Sequence, residues 1–483
     1  MNKCPEDIMN SGARMKRPAL TTIIVLLFSL ISTIAAASYT NVSVTEAKAM
    51  IDSNPSLVVI DVRTQSEYDS GHIRNARHIP LAELEGRLDE LDANGKHLVY
   101  CASGGRSATA SQLLVDNGFL YIYNMLGGIN AWISARYPVY VKYSSIQEAI
   151  NNASPGDMIL ISSGIYYENV VVNKPVSLVG ESKVATIVDG GGVGTVIDVV
   201  SDNVTISGFE IRNCSLTWED WGISLNHSSK SNVYGNVIKA VYAIRILDGS
   251  ENRVIDNSVV GDDGSCVFHG LQLVNSQNNV VNSNNLSLDC HSALTMHNST
   301  NNSISSNYIS GHFVPFPFTM EQSHNNSIVG NTMWQPAPLF GGHMSFTESS
   351  GNVLYHNAFL ADEGPNTMSI DEFSLNMWGN GCEGNFWSNY NGTDLDDDGI
   401  GDTYLPWEGV DSYPLMNLYW NPGDIDHDLD VDIFDVVKCG IAYGSTPSDP
   451  NWNPHCDIAE PYGVINIFDL VTIAASYGEE YTP

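Results

Sequence analysis

An asparagine-led motif recurs through the middle of this chain and limits what it can fold into. Asn232–Asn236 returns as Asn252–Asn257, Asn279–Asn284, Asn302–Asn307, Asn326–Asn331 and Asn352–Asn357, with first asparagines 20, 27, 23, 24 and 26 residues apart. Between the asparagines lie short alternating apolar runs such as Ser303-Ile304-Ser305. One such repeat cannot bury its own apolar face, so neighbours must stack. A period in the twenties with strand-like alternation predicts a parallel β-helix over residues 140–420. Equivalent asparagines are expected to satisfy one another's amides and to tolerate left-handed backbone at the turns. Ser144–Ile150 reads as a capped helix that closes the first coil.

With 483 residues the chain exceeds what one core serves, so three or more domains are expected. The 43% apolar content excludes a wholly disordered chain. Twenty-one basic against 55 acidic residues leave a charge of −34, which argues against a nucleic-acid partner and suits calcium or a salty exterior. Residues 1–37 carry Arg14, Lys16 and Arg17, an apolar stretch from Ile23 to Ile34, and Ala35-Ala36-Ala37. That layout predicts a secretory signal peptide, with an uncleaved anchor as the alternative. Glycosylation sequons such as those at Asn203, Asn285 and Asn298 agree with a secreted or cell-surface protein.

Residues 40–139 alternate buried-strand runs, Leu57–Ile60 and His97–Tyr100, with helical patterns, and so predict an α/β domain. At the end of the second run stands Cys101-Ala102-Ser103-Gly104-Gly105-Arg106, leading into a helix. A thiol there faces converging amides, a helix N-terminus and a guanidinium, all of which favour the thiolate. Together with Asp61-Val62-Arg63, Glu67-Tyr68, Gly71-His72-Ile73, Ala76–Pro80 and Gly127–Trp132, the loop resembles the rhodanese family across the whole stretch. The resemblance implies that Cys101 is the nucleophile that carries a persulfide and that Arg106 binds the anion. The amides of Ala102, Ser103, Gly104 and Gly105 would cradle the substrate, with Arg63 among the substrate-binding groups. A small sulfur donor and a thiol or cyanide acceptor are implied, and no organic cofactor. A related phosphatase loop has one more residue between Cys and Arg, so the four here fit sulfur. A non-catalytic binding module stays open.

The opening of the β-helix, Gly156–Ile161 and Gly164–Val170, and its close, Gly384–Tyr390 and Tyr413–Met416, resemble the NosD-like, carbohydrate-associated β-helix family. That resemblance implies binding of a polysaccharide or surface glycan. Asp262-Asp263 and His269-Gly270 look like pieces of a polysaccharide hydrolase site, but Arg245-Ile246 falls on the wrong side of them. An adhesive β-helix protein or a polysaccharide-degrading enzyme is therefore the alternative reading. Histidines 269, 291, 297, 312, 324 and 343 form no tight ligand pair, and copper is a minor expectation. Asp394, Asp396, Asp398 and Asp402 have calcium-loop spacing without the terminal acid.

In residues 421–483, Val431–Val437 recurs as Ile465–Val471. Asp424, Asp426, Asp428, Asp430, Asp432 and Asp435 occupy loop positions 1, 3, 5, 7, 9 and 12, so calcium should fold this segment. The second loop, with Asp457 and Asp469, departs from the spacing and is the weaker site. Two loop–helix units in this length resemble a dockerin, a small α-helical EF-hand-like domain, which implies a cohesin-bearing partner. Setting aside Cys4 and Cys101, six cysteines remain, with Cys439–Cys456, Cys266–Cys290 and Cys214–Cys382 as candidate pairs.

Overall fold

The structure is a computed structural model that describes residues 38–477 apart from 261–267, 289–291, 312–315, 336–341, 362–367, 371–373, 396–397, 419–422, 424, 426–430, 432, 447–455, 457 and 459–463. The signal expected at 1–37 lies outside the described residues. The chain divides into two compact units, one of residues up to Tyr68 plus Ala76–Tyr137, the other of Asp69–Asn75 and everything from Pro138 onward. Among the described residues no helix is long and apolar enough to cross a membrane.

The first unit holds a five-stranded sheet in the order Thr40–Val42, Tyr121–Met125, Lys96–Tyr100, Val58–Asp61, Arg77–His78, every neighbouring pair parallel. Its central strands read as unbroken apolar runs because helices cover parallel sheets on both faces. Ile60, Val62, Val99 and Ile122 are buried with Leu114 from the helix Gly105–Asp116. The helix Val44–Ser53 starts at a capping box: Ser43 Oγ accepts from the Glu46 amide, and Glu46 accepts from the Ser43 amide.

The expected β-helix is present in the second unit as three long parallel sheets. Sheet 1 has nine strands from Met158–Ile161 to Val353–Tyr355, sheet 2 ten from Gly164–Tyr167 to Phe386–Trp387, and sheet 3 nine from Val170–Val172 to Met368–Ile370. Alternate residues point inward and build one core running the length of the stack, as with Val233, Val254, Val281, Ile304, Ile328 and Leu354. Glu168 caps the closing helix Ile146–Asn152, accepting from the Ser145 hydroxyl and the amides of Ile146 and Gln147.

The asparagines do stack. Asn236, Asn257, Asn284, Asn307, Asn331, Asn357 and Asn385 are buried, each Nδ2 donating to the next Oδ1 at 2.9–3.0 Å. The ladder ends on Asp411, which also accepts from Trp387 Nε1 at 2.9 Å. The left-handed turn, however, falls on the residue before each ladder position from Asn236 to Asn357, and before those of a second stacked row that includes Asn279, Asn302 and Asn326. Asn278, Asn301 and Asn325 take it before one row, and Gly235, Asp256, Ser283, Ser306, Gly330 and His356 before the other. A ladder asparagine must keep its amide aimed along the stack, so its neighbour turns the corner.

Two other expectations are redrawn. The Gly71-His72-Ile73 segment, read with the α/β domain, packs in the second unit. His72 exchanges backbone hydrogen bonds with Tyr140, and its Nε2 lies 3.1 Å from buried Glu181. Cys214 is buried and Cys382 exposed, both as free thiols rather than a pair, and the buried Cys439 and Cys456 likewise stand as free thiols in the structure. Cys266 and Cys290 lie outside the described residues. Near the C-terminus the helices Ile433–Ala442 and Ile467–Ala475 share an apolar cluster that includes Ile425, Cys439, Cys456 and Ile473.

Candidate functional site

The strand Lys96–Tyr100 ends at Cys101, and Gly104 caps the helix Gly105–Asp116 with φ +99°. The short loop between them turns its amides toward the sulfur: Gly104 N–H donates to Cys101 Sγ at 3.2 Å. Cys101 is 1% exposed. Burial opposes ionisation, but the Ser107 hydroxyl and the amides of Ser107, Ser103 and Gly104 outweigh it and hold the thiol below its ordinary pKa. Ser107 Oγ also lies 3.1 Å from Gly104 O and 2.7 Å from Asn124 Oδ1, so its single proton serves one acceptor at a time.

The loop is held from behind by the helix Gly128–Ser134. The Ile129 amide donates to Cys101 O at 2.8 Å and the Asn130 amide to Ala102 O at 3.1 Å. With those carbonyls drawn backward, the loop amides are free to face the sulfur. The approach requires glycine: a Cβ on Gly128, whose φ is +57°, would sit 2.2 Å from Cys101 O. Sequence reasoning noted Gly127–Trp132 only as part of a family pattern. The Gly-Gly pair before a short helix was the available signal of close backbone approach.

Arg106 is not an open anion-binding group. Its Nη1 and Nη2 grip Glu67 Oε2 and Oε1 at 2.8 and 2.6 Å. This pairing is the main reason the Glu67 carboxyl is held at about 2, and Thr64 donates to the same carboxylate from its amide and hydroxyl. The Arg106 charge still acts on the Cys101 thiolate, with two of its five N–H groups committed to Glu67. Glu67 stands in the family pattern with Tyr68 but carries no site role in the sequence reading, since it lies 39 positions from Arg106.

Arg63 also departs from the substrate-binding role expected of it. It is 4% exposed, its Nε and Nη2 reach Asp61 at 2.6–3.0 Å, and its guanidinium lies 5.6 Å from the Tyr100 ring centroid. A guanidinium this buried and paired supports the strand ends beneath the loop.

The metal expectations fare differently by segment. Asp424, Asp426, Asp428, Asp430, Asp432, Asp396 and Asp457 lie outside the described residues. Asp435 and Asp469 are buried and hold equivalent places, accepting from the amides of Ile425 at 2.5 Å and Ile458 at 2.8 Å. Asp394, Asp398 and Asp402 accept from amides of their own loop, those of Gly399, Ile400 and Leu395. Among the described residues no three histidine, cysteine, aspartate or glutamate side chains gather as a metal site. His343 is buried against Leu360 O with its pKa pushed down to about 4, and His297 pairs with Glu321. His291 and His312 lie outside the described residues. The described donors therefore do not fit copper.

Comparison with known proteins agrees with this layout. Residues 43–135 match the model of the rhodanese-like domain, and residues 150–392, half of the chain, match that of the periplasmic copper-binding protein NosD. YrkF of Bacillus subtilis is 37% identical over 97 residues, which span 20% of this chain and 52% of that protein. The chain thus spans about half the length of that relative. The thiosulfate sulfurtransferase GlpE of Coxiella burnetii is 38% identical over 82 residues, 17% of this chain and 76% of that protein. A rhodanese-related protein of Thermoplasma volcanium, known as a crystal structure, is 35% identical and covers 22% of this chain and 100% of its own, with a TM-score of 0.20. The chain belongs to the NosD family, and carries a rhodanese-like domain ahead of its parallel β-solenoid.

Proposed function

We propose that this protein is an exported rhodanese-type sulfurtransferase whose β-solenoid holds it on a glycan or surface. The observation that carries the catalytic half is the buried Cys101 sulfur under the Gly104 amide, with Ser107 and Ser103 lowering its pKa. In the reaction, the Cys101 thiolate attacks the outer sulfur of thiosulfate. The S–S bond breaks, sulfite leaves with the electron pair, and a persulfide remains under the loop amides. A nucleophile such as cyanide then takes that sulfur as thiocyanate and returns the thiolate. The likeness to a thiosulfate sulfurtransferase supports this reading. Export is supported by the periplasmic family of the repeat domain and by the signal-like residues 1–37.

The C-terminal segment is proposed to bind calcium through Asp424–Asp435 and to dock to a cohesin-bearing partner. The matched placements of Asp435 and Asp469 support a two-fold repeated unit there. Thiosulfate-dependent thiocyanate formation by the intact chain, beside Cys101→Ser, tests the enzyme. Activity that vanishes in the variant is the expected result. No activity in either protein, with Cys101 reactive to alkylation, would overturn it in favour of a binding module. A helical signal at the C-terminus unchanged by a calcium chelator would overturn the calcium reading.

A further inference from the structure

Coil register on sheet 3 brings one row of outward side chains into line. Asp198 pairs with Ser224, Ser224 with Arg245, Arg245 with Gln272, and Gln272 with Thr295. Strands in such a stack follow one another at about 4.8 Å, close to the length of one pyranose ring. The flanking residues Ile244, Ile246, Leu271 and Leu273 face the core, so the row itself faces out.

Arg245 is the anomaly in this row. Its guanidinium lies 5.4 Å from the centroid of the Trp221 ring. Among the described residues its one polar contact is the long donation from Nη2 to Ser224 Oγ, at 3.4 Å. Its Nε is buried without a hydrogen-bond partner, as are Trp221 Nε1 and Thr295 Oγ1. Gln272 makes no side-chain hydrogen bond among the described residues. Unmet groups of this kind are costly, and folded proteins keep few of them without a reason. Here three such buried groups, of Arg245, Trp221 and Thr295, fall together on neighbouring coils of one face, beside the half-exposed Gln272.

The same place carries an aromatic surface. Phe268, 38% exposed, stacks on Tyr242 at 5.9 Å, with His269 5.9 Å from Tyr242, while Trp221 is buried beneath them, 5.4 Å from Tyr242. Aromatic faces receive the C–H faces of sugar rings, while guanidinium, amide and hydroxyl groups in line with them suit ring hydroxyls. Asp198, Glu219 and Asp220 all act electrostatically on Arg245. Three carboxylates around one guanidinium, in a chain of charge −34, disfavour a polyanion. They offer acceptors to hydroxyl groups instead.

From this juxtaposition we infer that the Asp198–Thr295 row of sheet 3, beside Tyr242 and Phe268, is a binding site for an uncharged hexose or pentose polymer lying across successive coils. The inference rests on the proposed glycan-binding role of the solenoid and gives that role a place and a ligand class. Hydrogen bonds to charged groups govern affinity here, so removing the guanidinium should weaken binding at least tenfold.

The test is affinity electrophoresis and calorimetry of the intact chain with galactomannan, xylan, hydroxyethylcellulose and, as the charged arm, polygalacturonate. Arg245→Met keeps the stem over Trp221, and Gln272→Ala removes a half-exposed side chain outside the core. Ser303→Ala on sheet 1 is the control. The expected result is binding of at least one neutral polymer, weakened at least tenfold by either row variant and unchanged in the control, with thiosulfate activity intact throughout. Variants that bind as the parent does overturn this site and leave the glycan role standing elsewhere on the solenoid. A preference for polygalacturonate overturns the ligand class. Binding of none of the four polymers overturns both the site and the glycan role.

Discussion

Truncating one rung of the asparagine ladder, Asn307→Ala, should cost far more than its small change in volume. Asn307 is buried in the middle of the stack. Its Nδ2 donates to Val281 O and to Asn331 Oδ1, both at 2.9 Å, and its Oδ1 accepts from Asn284 N at 2.9 Å and Asn284 Nδ2 at 3.0 Å. Alanine deletes all four bonds. Asn284 Nδ2 keeps Val254 O and Asn282 O, and Asn331 Oδ1 keeps the Asn307 amide. The groups that lose this partner on the main chain are Asn284 N and Val281 O. Val281 O keeps its place in the ladder beside Ile304 and Ser305, so Asn284 N is the buried orphan, and at about 1–3 kcal/mol for it the cost is about 2 kcal/mol. A solenoid's stability is a sum of rungs and their interfaces, so the loss should be local. Native-state hydrogen exchange should show the coils around Asn284–Asn331 losing protection first, while the first unit is unaffected. Asn307→Asp keeps the shape but sets a carboxylate against Asn331 Oδ1. Burial and that contact raise its folded pKa, so the variant is weakest at high pH and regains stability as pH falls through that value. Asn307→Ala within about 0.5 kcal/mol of the parent, no worse than the outward Ser303→Ala, would refute the reasoning.

Four further outcomes follow from the same geometry. Ser107→Ala removes the donor that most favours the Cys101 thiolate, so the pH profile of Cys101 alkylation should move upward and the rate at pH 7 fall several-fold; an unmoved profile would place the Ser107 proton on Asn124 instead. Gly128→Ala adds a Cβ 2.2 Å from Cys101 O at positive φ, and should cost about 2–4 kcal/mol and nearly all sulfur transfer, read by denaturation and thiocyanate release. Burial opposes the Glu181 charge, but His72, Ser163 and Asn75 hold the carboxyl at about 2 against an ordinary 4.5. A depressed pKa stabilises above 4.5 and is lost as pH falls toward 2, so Glu181→Gln should cost about 2 kcal/mol at pH 7 and flatten acid unfolding in that window. Cys439 and Cys456 are neighbouring buried thiols, unbonded in the structure, with Cys439 Sγ 3.9 Å from Cys456 O. Protein matured in an oxidising compartment should show neither as an alkylatable thiol under denaturing, non-reducing mass analysis, and two free thiols there would refute their pairing.

The asparagine period and the Cys101-to-Arg106 loop were legible in the sequence because both are local. A repeat displays its spacing directly, and a strand, glycine-rich turn and helix start lie within a dozen residues. What the sequence left open depends on partners whose separation follows no rule. Arg106 reads as an anion binder until the fold brings Glu67 to it, and Arg63 reads the same way until burial locks it to Asp61. The Gly128 approach that fixes the loop carbonyls is made by a helix 23 residues beyond the start of the cysteine helix, at Gly105. The row from Asp198 to Thr295 is invisible in the chain because loops of unequal length separate its members, and only the hydrogen-bonded register of sheet 3 decides which side chains share a line. The sequence by itself determined that the coils must stack and that a reactive cysteine sits at a strand end. Tertiary structure alone decided which charges neutralise each other and which are left facing outward, since those pairings depend on distances in space that sequence separation does not encode.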